Sequence, residues 1–344
     1  MKSLQIMALY TLIGSGIFPC RLPSADFLFP TSNRNILNPG SEDKYFVPTV
    51  GRTWPSGTFG CVRSEGFQIH EGLDIACLER DANREPRDPV SATARGIIAY
   101  VNRSTGLSNY GRYVIIAHRI EGLPVYSLYA HLSRVREDLN PGTIVTAGEE
   151  IATMGRTSNT RQKISRQRAH LHFELTFMAN PNFEKWNQKR SPGSRNDHGI
   201  WHGLNLIGFD AWKLFMAQNR EKNDFNLIRF IRSLTPQFRV AIKKTEFPLI
   251  NYYQPLIARQ DPLFPEPHEA LGYEIEFDFN GLPLSIKPLH TWKSDWKSPY
   301  HLLEVDEKDF RANRCRKWVY RTGAGDWALG ENGIRHLDLI SFKP

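Results

Sequence analysis

Two short stretches carry side chains able to hold a metal ion at ligand spacing: His70-Glu71-Gly72-Leu73-Asp74 and His170-Leu171-His172-Phe173-Glu174-Leu175. Hydrolysis at a zinc ion needs three protein ligands of the imidazole and carboxylate kind, with a fourth position left for water. His70 and Asp74 are the first candidates. On a straight strand their Cα atoms would stand about 13 Å apart, too far for one ion, so the chain must bend between them. Gly72 permits that bend. In the second stretch a period of two puts His170, His172 and Glu174 on one strand face and sends Leu171, Phe173 and Leu175 into a core. Spacing alone leaves open whether both imidazoles bind the ion or one binds it while its neighbour handles protons.

Taken in order, His-x-Gly-x-Asp at 70–74, Tyr129-Ala130-His131-Leu132-Ser133 and His170-Leu171-His172-Phe173-Glu174 resemble the signature of the M23 peptidases, the lysostaphin/LytM peptidoglycan hydrolases. The resemblance also takes in Gly96, Tyr113 to His118 and Gly148 to Gly155, and it covers roughly residues 48–178. It implies an antiparallel β-sheet sandwich with one zinc ion per chain, held by His70, Asp74 and His172. It further implies that His170 is the general base, and that His131 stabilises the tetrahedral oxyanion and assists the leaving amine. The substrate it implies is a peptide bond in peptidoglycan stem peptides or cross-links. Two neutral imidazoles and one carboxylate leave such a site net positive, which moves the pKa of bound water towards ~7. Glu174 and His118 fit supporting roles around the ligands.

The family's short Gly- and Ser/Thr-rich turn before His-Leu-His is replaced here by the longer, basic stretch Thr157 to Ala169. Arg161, Arg166 and Arg168 are its candidates for a lip that grips substrate carboxylates, the alternative being a solvated loop. His198 and His202 stand four apart, but the glycines beside them favour a loop without a metal role. His268, His290, His301 and His336 have no companions at ligand spacing. The aromatics between 292 and 327 suit core packing better than a glycan-stacking surface. No Gly-x-Ser-x-Gly elbow, thiol-protease setting, Walker loop or dinucleotide fingerprint is present.

The elements that must position these residues are strands. From Phe46 to Phe177 the chain alternates short β-branched segments with Gly, Pro and Asn, and no helix-length amphipathic run interrupts them. Strands are predicted at 96–101, 113–117, 125–130, 144–145 and 170–177. Residues 180–204 turn to Asn, Pro, Lys, Arg, Ser and Gly, which suits a linker or surface loop. Helices are predicted over 211–218 and 225–234, and Asn280-Gly281 between alternating segments predicts a β-hairpin. The expected organisation is a signal peptide over 1–25, an extension over 26–47, a mainly β catalytic domain over 48–180, a linker over 181–204 and an α+β domain over 205–344.

With 344 residues, 40% hydrophobic and 23% charged, the chain has the composition of a folded globular protein. A formal charge of +8 favours an anionic partner, but the basic residues are scattered rather than blocked, which argues against nucleic acid. Met1-Lys2, the apolar run Leu4 to Ile13 and Gly14-Ser15-Gly16 have the order of a secretory signal, and the run is too short for a stable membrane span. Export to the bacterial periplasm or cell envelope is therefore expected; Pro19 before Cys20 departs from a lipidation site. Cys61 and Cys77 could close a loop around the metal ligands, leaving Cys315 over, or all three could be free thiols. The sequence leaves the oligomeric state open. Against the peptidase reading stand a non-catalytic regulator of cell-wall hydrolases with this fold and an envelope-binding module. The presence of His70, Asp74, His131, His170 and His172 speaks against the regulator.

Overall fold

The computed structural model describes residues 27–160, 164–258 and 270–344. The expected signal peptide and Arg161 lie outside them. The first half is a set of short strands: β1 (Gly60–Arg63), β2 (Gln68–His70), β3 (Leu73–Ala76), β4 (Pro89–Ser91), β5 (Gly96–Asn102), β6 (Arg112–Ile120), β7 (Leu123–Leu132), β8 (Arg134–Val135), β9 (Ile144–Val145), β10 (Glu150–Thr153), β11 (His170–Met178) and β12 (Leu206–Phe209). The five strands predicted from the sequence are all present, each lengthened or matched.

The main antiparallel sheet runs β12-β11-β7-β6-β5-β9, and β3 pairs β11 on the edge that β12 occupies further along. A smaller sheet, β4-β10-β8, packs into the same core through Val90, Ile151 and Val135. β11 is the hub. Leu171, Phe173 and Leu175 are fully buried in the core on one face, as the period of two requires. The opposite face carries His170, His172 and Glu174 and a second apolar cluster that includes Tyr113, Leu128 and Trp201. The chain is thus mainly β, with α+β content in its C-terminal part.

Residues 181–204, expected as a linker or surface loop, contain the helix α1 (Phe183–Arg190), which buries Phe183 and Trp186. Their polar neighbours masked that anchor in the sequence. Both predicted helices form, as α2 (Ala211–Glu221) and α3 (Leu227–Ser233), each opened by a side-chain cap, Asp210 and Asn226. Next come β13 (Phe238–Ile242), β14 (Gly272–Phe277), β15 (Pro283–Leu289) and β16 (Tyr300–Val305), ordered β15-β14-β13-β16, with α4 (Glu331–Ser341) closing the chain. The predicted hairpin is β14-β15, and Gly281 takes the positive φ of 83° that its turn demands.

The two halves share contacts that are neither loose nor polar only. Tyr253 stacks on Phe177 at 4.4 Å between ring centroids, and the Met178 amide donates to its hydroxyl. Asn180 donates to the carbonyls of Leu339 and Phe342, and Asn280 to that of Gly208. A disulfide joins Cys61 to Cys315, not to Cys77, which is a free thiol. Tertiary packing brings β1 against a segment 254 residues away, a proximity that loop length alone could not reveal. Among the described residues no helix is long and apolar enough to cross a membrane.

Candidate metal centre

Asp74 and His172 are direct cross-strand partners in the β3-β11 register, so sheet pairing alone sets the first two candidate ligands side by side. His70 reaches them because the chain breaks between β2 and β3 at Glu71-Gly72. A Cβ at position 72 would stand 2.4 Å from the Phe173 carbonyl oxygen, so only glycine lets the link pass this close to β11.

The three side chains converge. Asp74 Oδ1 lies 3.1 Å from His70 Nε2 and 3.0 Å from His172 Nδ1, and the two ring nitrogens are 3.2 Å apart. Ligands at the usual zinc distances of ~2.0–2.1 Å in a tetrahedron stand roughly 3.3 Å from one another, so this triangle matches one face of such a site. All three residues are buried. The donor set, two imidazoles and one carboxylate, therefore suits zinc.

Each candidate histidine ligand is also aimed from behind. His70 donates from Nδ1 to the Thr58 carbonyl at 2.7 Å, which leaves Nε2 to face the cluster. His172 donates from Nε2 to Glu174 Oε1 at 2.9 Å, which turns Nδ1 inward, and Tyr110 donates its hydroxyl to the same carboxylate oxygen at 2.6 Å. Arg63, on β1, donates to Asp74 Oδ2 at 2.6 Å. It pins the carboxylate so that Oδ1 points at the histidines. Arg63, Thr58 and Tyr110 escaped the sequence analysis, since none stands at ligand spacing and one acts through its backbone.

His170 and His131 complete the pocket without joining the triangle. His170 Nε2 is 3.3 Å from Asp74 Oδ1, and its Nδ1 donates to the Arg168 carbonyl at 2.6 Å. His131 donates from Nδ1 to the Thr157 carbonyl at 2.9 Å, and its ring meets that of His170 edge-on at 4.9 Å. Its φ of 61° places a non-glycine residue in the left-handed region, backbone strain of the kind that collects at functional sites.

Electrostatics in the metal-free cluster follow from these contacts. Burial opposes ionisation of Asp74, but electrostatic interaction with His170 and His70 and the hydrogen bonds with His170 and His172 overcome it and hold the carboxyl well below its usual range. Burial likewise disfavours His172 as a cation, yet its bonds to Asp74 and Glu174 push it up to about 10. His131 goes the other way, pushed well down by burial and then by His170 and His172.

The basic stretch is divided in its contacts. Arg166 is tied to Glu85 at 2.8 Å, as is Arg156 at 2.7 Å, while Arg168 donates to the Pro48 carbonyl at 2.9 Å. His118 is buried between the Arg95 carbonyl and Ser127, and His198 bonds the Tyr113 hydroxyl at 2.6 Å.

Residues 68–183 match the model of peptidase family M23, so this part of the chain is an M23 peptidase domain. Among solved structures the chain is similar to a zinc-containing peptidase from Vibrio cholerae, with 23% identity, 39% of this chain and 30% of that one covered, and a TM-score of 0.23. It is also similar to the catalytic domain of the antimicrobial peptidase lysostaphin from Staphylococcus simulans, with 22% identity, 34% and 75% covered, and a TM-score of 0.25. The chain thus spans less than a third of the Vibrio protein's length, and at these TM-scores the superpositions add nothing to the family match. No curated protein matches the chain.

Proposed function

We propose that the protein is an exported zinc metalloendopeptidase that cuts peptide bonds in peptidoglycan stem peptides or cross-links, with residues 48–180 as its catalytic domain. The observation that carries this reading is the 3.0–3.2 Å triangle of His70 Nε2, Asp74 Oδ1 and His172 Nδ1, with both rings aimed from behind. A zinc ion held there supplies Lewis acidity, which acidifies water and polarises a carbonyl. The protein's own groups then move the protons. His170, with Nδ1–H committed to the Arg168 carbonyl, presents an Nε2 lone pair and serves as general base. His131 is in the same tautomer, so its Nε2 donates to an oxyanion or to the leaving amine only after gaining a proton. Of the three arginines expected in a substrate lip, Arg168 stays in this role, because its backbone holds His170 and its guanidinium lies in the field of Asp74.

Release of new amines from purified peptidoglycan tests the reading, with a chelated sample refilled with zinc and His170→Ala alongside. Activity that vanishes on chelation and in the variant, then returns with zinc, is the expected result. Stoichiometric zinc binding without any bond cleaved would refute the enzymatic assignment and leave the non-catalytic regulator.

A further inference from the structure

A cavity of about 140 Å³ lies between α1, the start of β12 and the C-terminal helix α4, and it shares no residue with the metal cluster. Arg316 and Arg335 are among the residues that line it, and no Asp or Glu is. Arg316 makes one side-chain hydrogen bond, from Nε to Asn280 Oδ1 at 2.7 Å, and Asn332 holds its backbone carbonyl at 2.9 Å. Arg335 has no hydrogen bond or ion pair among the described residues. Glu71, Asp278 and Glu174 lie near enough to act on the Arg316 charge, whereas Arg335 has no such partner, so a bound anion would pair with Arg335 and accept from the Arg316 Nη groups, which make no hydrogen bond among the described residues.

The remaining lining shapes what the anion must carry with it. Trp186, Trp318, Leu204 and Ile207 make an apolar wall, and the polar ends of both tryptophans are already used, by Asp338 Oδ2 and the Phe279 carbonyl. His336 donates to the Gly281 carbonyl, and burial, with both arginines beside it, pushes its imidazole down to about 4, so it adds no third charge at neutral pH. Arg316 is held in place from three sides by Asn280, by Asn332 and by the disulfide at Cys315 next to it. A planar fork fixed this way, with Nε already used by Asn280, accepts a carboxylate end-on through its two Nη groups, while the tryptophans and aliphatic groups accept a short apolar side chain.

We infer that the Arg316–Arg335 cavity is a binding site for a small carboxylate carrying an apolar group, of the size of an acylated amino acid or the end of a short peptide. The site does not depend on the metal centre or on the peptidase reading. N-acetylalanine, its neutral amide and inorganic phosphate, each titrated into the full chain by calorimetry, provide the test. N-acetylalanine should bind at least about tenfold more tightly than the amide, and Arg335→Gln or Arg316→Gln should each weaken it by about tenfold or more, as expected for losing a charged hydrogen-bond partner. Leu204→Trp, at a position 45% exposed on the cavity rim, should block binding without touching either charge or the fold. Carboxylate bound at the metal cluster would ignore Arg335→Gln and Leu204→Trp. Absence of binding to the wild type, equal affinity for the amide, or affinity unchanged in Arg335→Gln and Leu204→Trp would overturn the inference. Phosphate bound more tightly than N-acetylalanine would overturn the carboxylate assignment and make this a phosphate site.

Discussion

Gly72→Ala is the smallest change that should disable the metal centre without removing a ligand. The new methyl carbon would lie 2.4 Å from the Phe173 carbonyl oxygen and 2.9 Å from Glu174 Cγ, against ordinary contacts of at least about 3.2 Å for carbon and oxygen. Backbone blocks it, so no flexible side chain can swing aside, and the β2-β3 link must retreat from β11 by roughly 0.8 Å. Overpacking of this kind costs about 1–3 kcal/mol. The displaced link carries His70 and Asp74 and the strand it leaves carries His172, so the 3.0–3.2 Å triangle opens by a similar distance. Metal sites tolerate only about 0.2 Å in ligand distances. Zinc affinity, measured by competition with a chromophoric chelator, should therefore fall at least about tenfold, and urea unfolding of the zinc-free protein should show the stability loss. Gly106→Ala, where an added Cβ meets nothing within 4 Å, serves as the control. If Gly72→Ala unfolds within about 0.5 kcal/mol of wild type and keeps its zinc affinity, the close-approach argument is wrong.

Three further outcomes follow from the contacts described. Arg63→Met should destabilise the zinc-free protein by about 2 kcal/mol, because the buried Asp74 carboxylate loses one charged hydrogen bond while His172 still faces it, and by clearly less with zinc bound; equal losses in both states would contradict the pinning role. Removing the Cys61–Cys315 cross-link by Cys61→Ser should cost up to about 5 kcal/mol from loop entropy over 254 residues, whereas Cys77→Ser should leave the non-reduced peptide map unchanged. His118 and His336 are both pushed down to about 4 by burial, so they are neutral in the fold and protonate first in the unfolded chain. Stability from each is full above the unfolded pKa of about 6.5 and falls as pH drops towards 4, by about 2 kcal/mol between pH 7 and 5. His336→Gln should remove one such share from the pH dependence measured by urea unfolding, and an unaltered slope would count against the assignment.

Where a signal was local, the chain announced it. The alternation of His170, Leu171, His172 and Phe173 predicted which side chains face the core, the break at Gly72 was required by the distance between His70 and Asp74, and Asn280-Gly281 marked its hairpin. Periodicity, turn chemistry and ligand spacing depend on neighbours a few residues away, and the backbone geometry of strands and turns translates them directly into faces and bends. Helix α1 was lost because two buried aromatics, Phe183 and Trp186, sit among charged residues that resemble a linker.

What only the tertiary structure decided are the meetings of distant segments. Arg63 finds Asp74, Tyr110 finds Glu174, and the Thr58 carbonyl finds His70 because the β1-β2 pair, the β3-β11 pair and the segments before β1 and β6 pack together, and nothing in the spacing of those residues encodes it. Cys61 chose Cys315 over the nearer Cys77 for the same reason: a bond forms where packing holds two sulfurs together, and sequence distance sets only the entropy of closing the loop. The sequence by itself determined the ligand types and the strands that carry them. The register of the sheet decided which atoms meet, because hydrogen-bonded pairing between strands is what places Asp74 opposite His172.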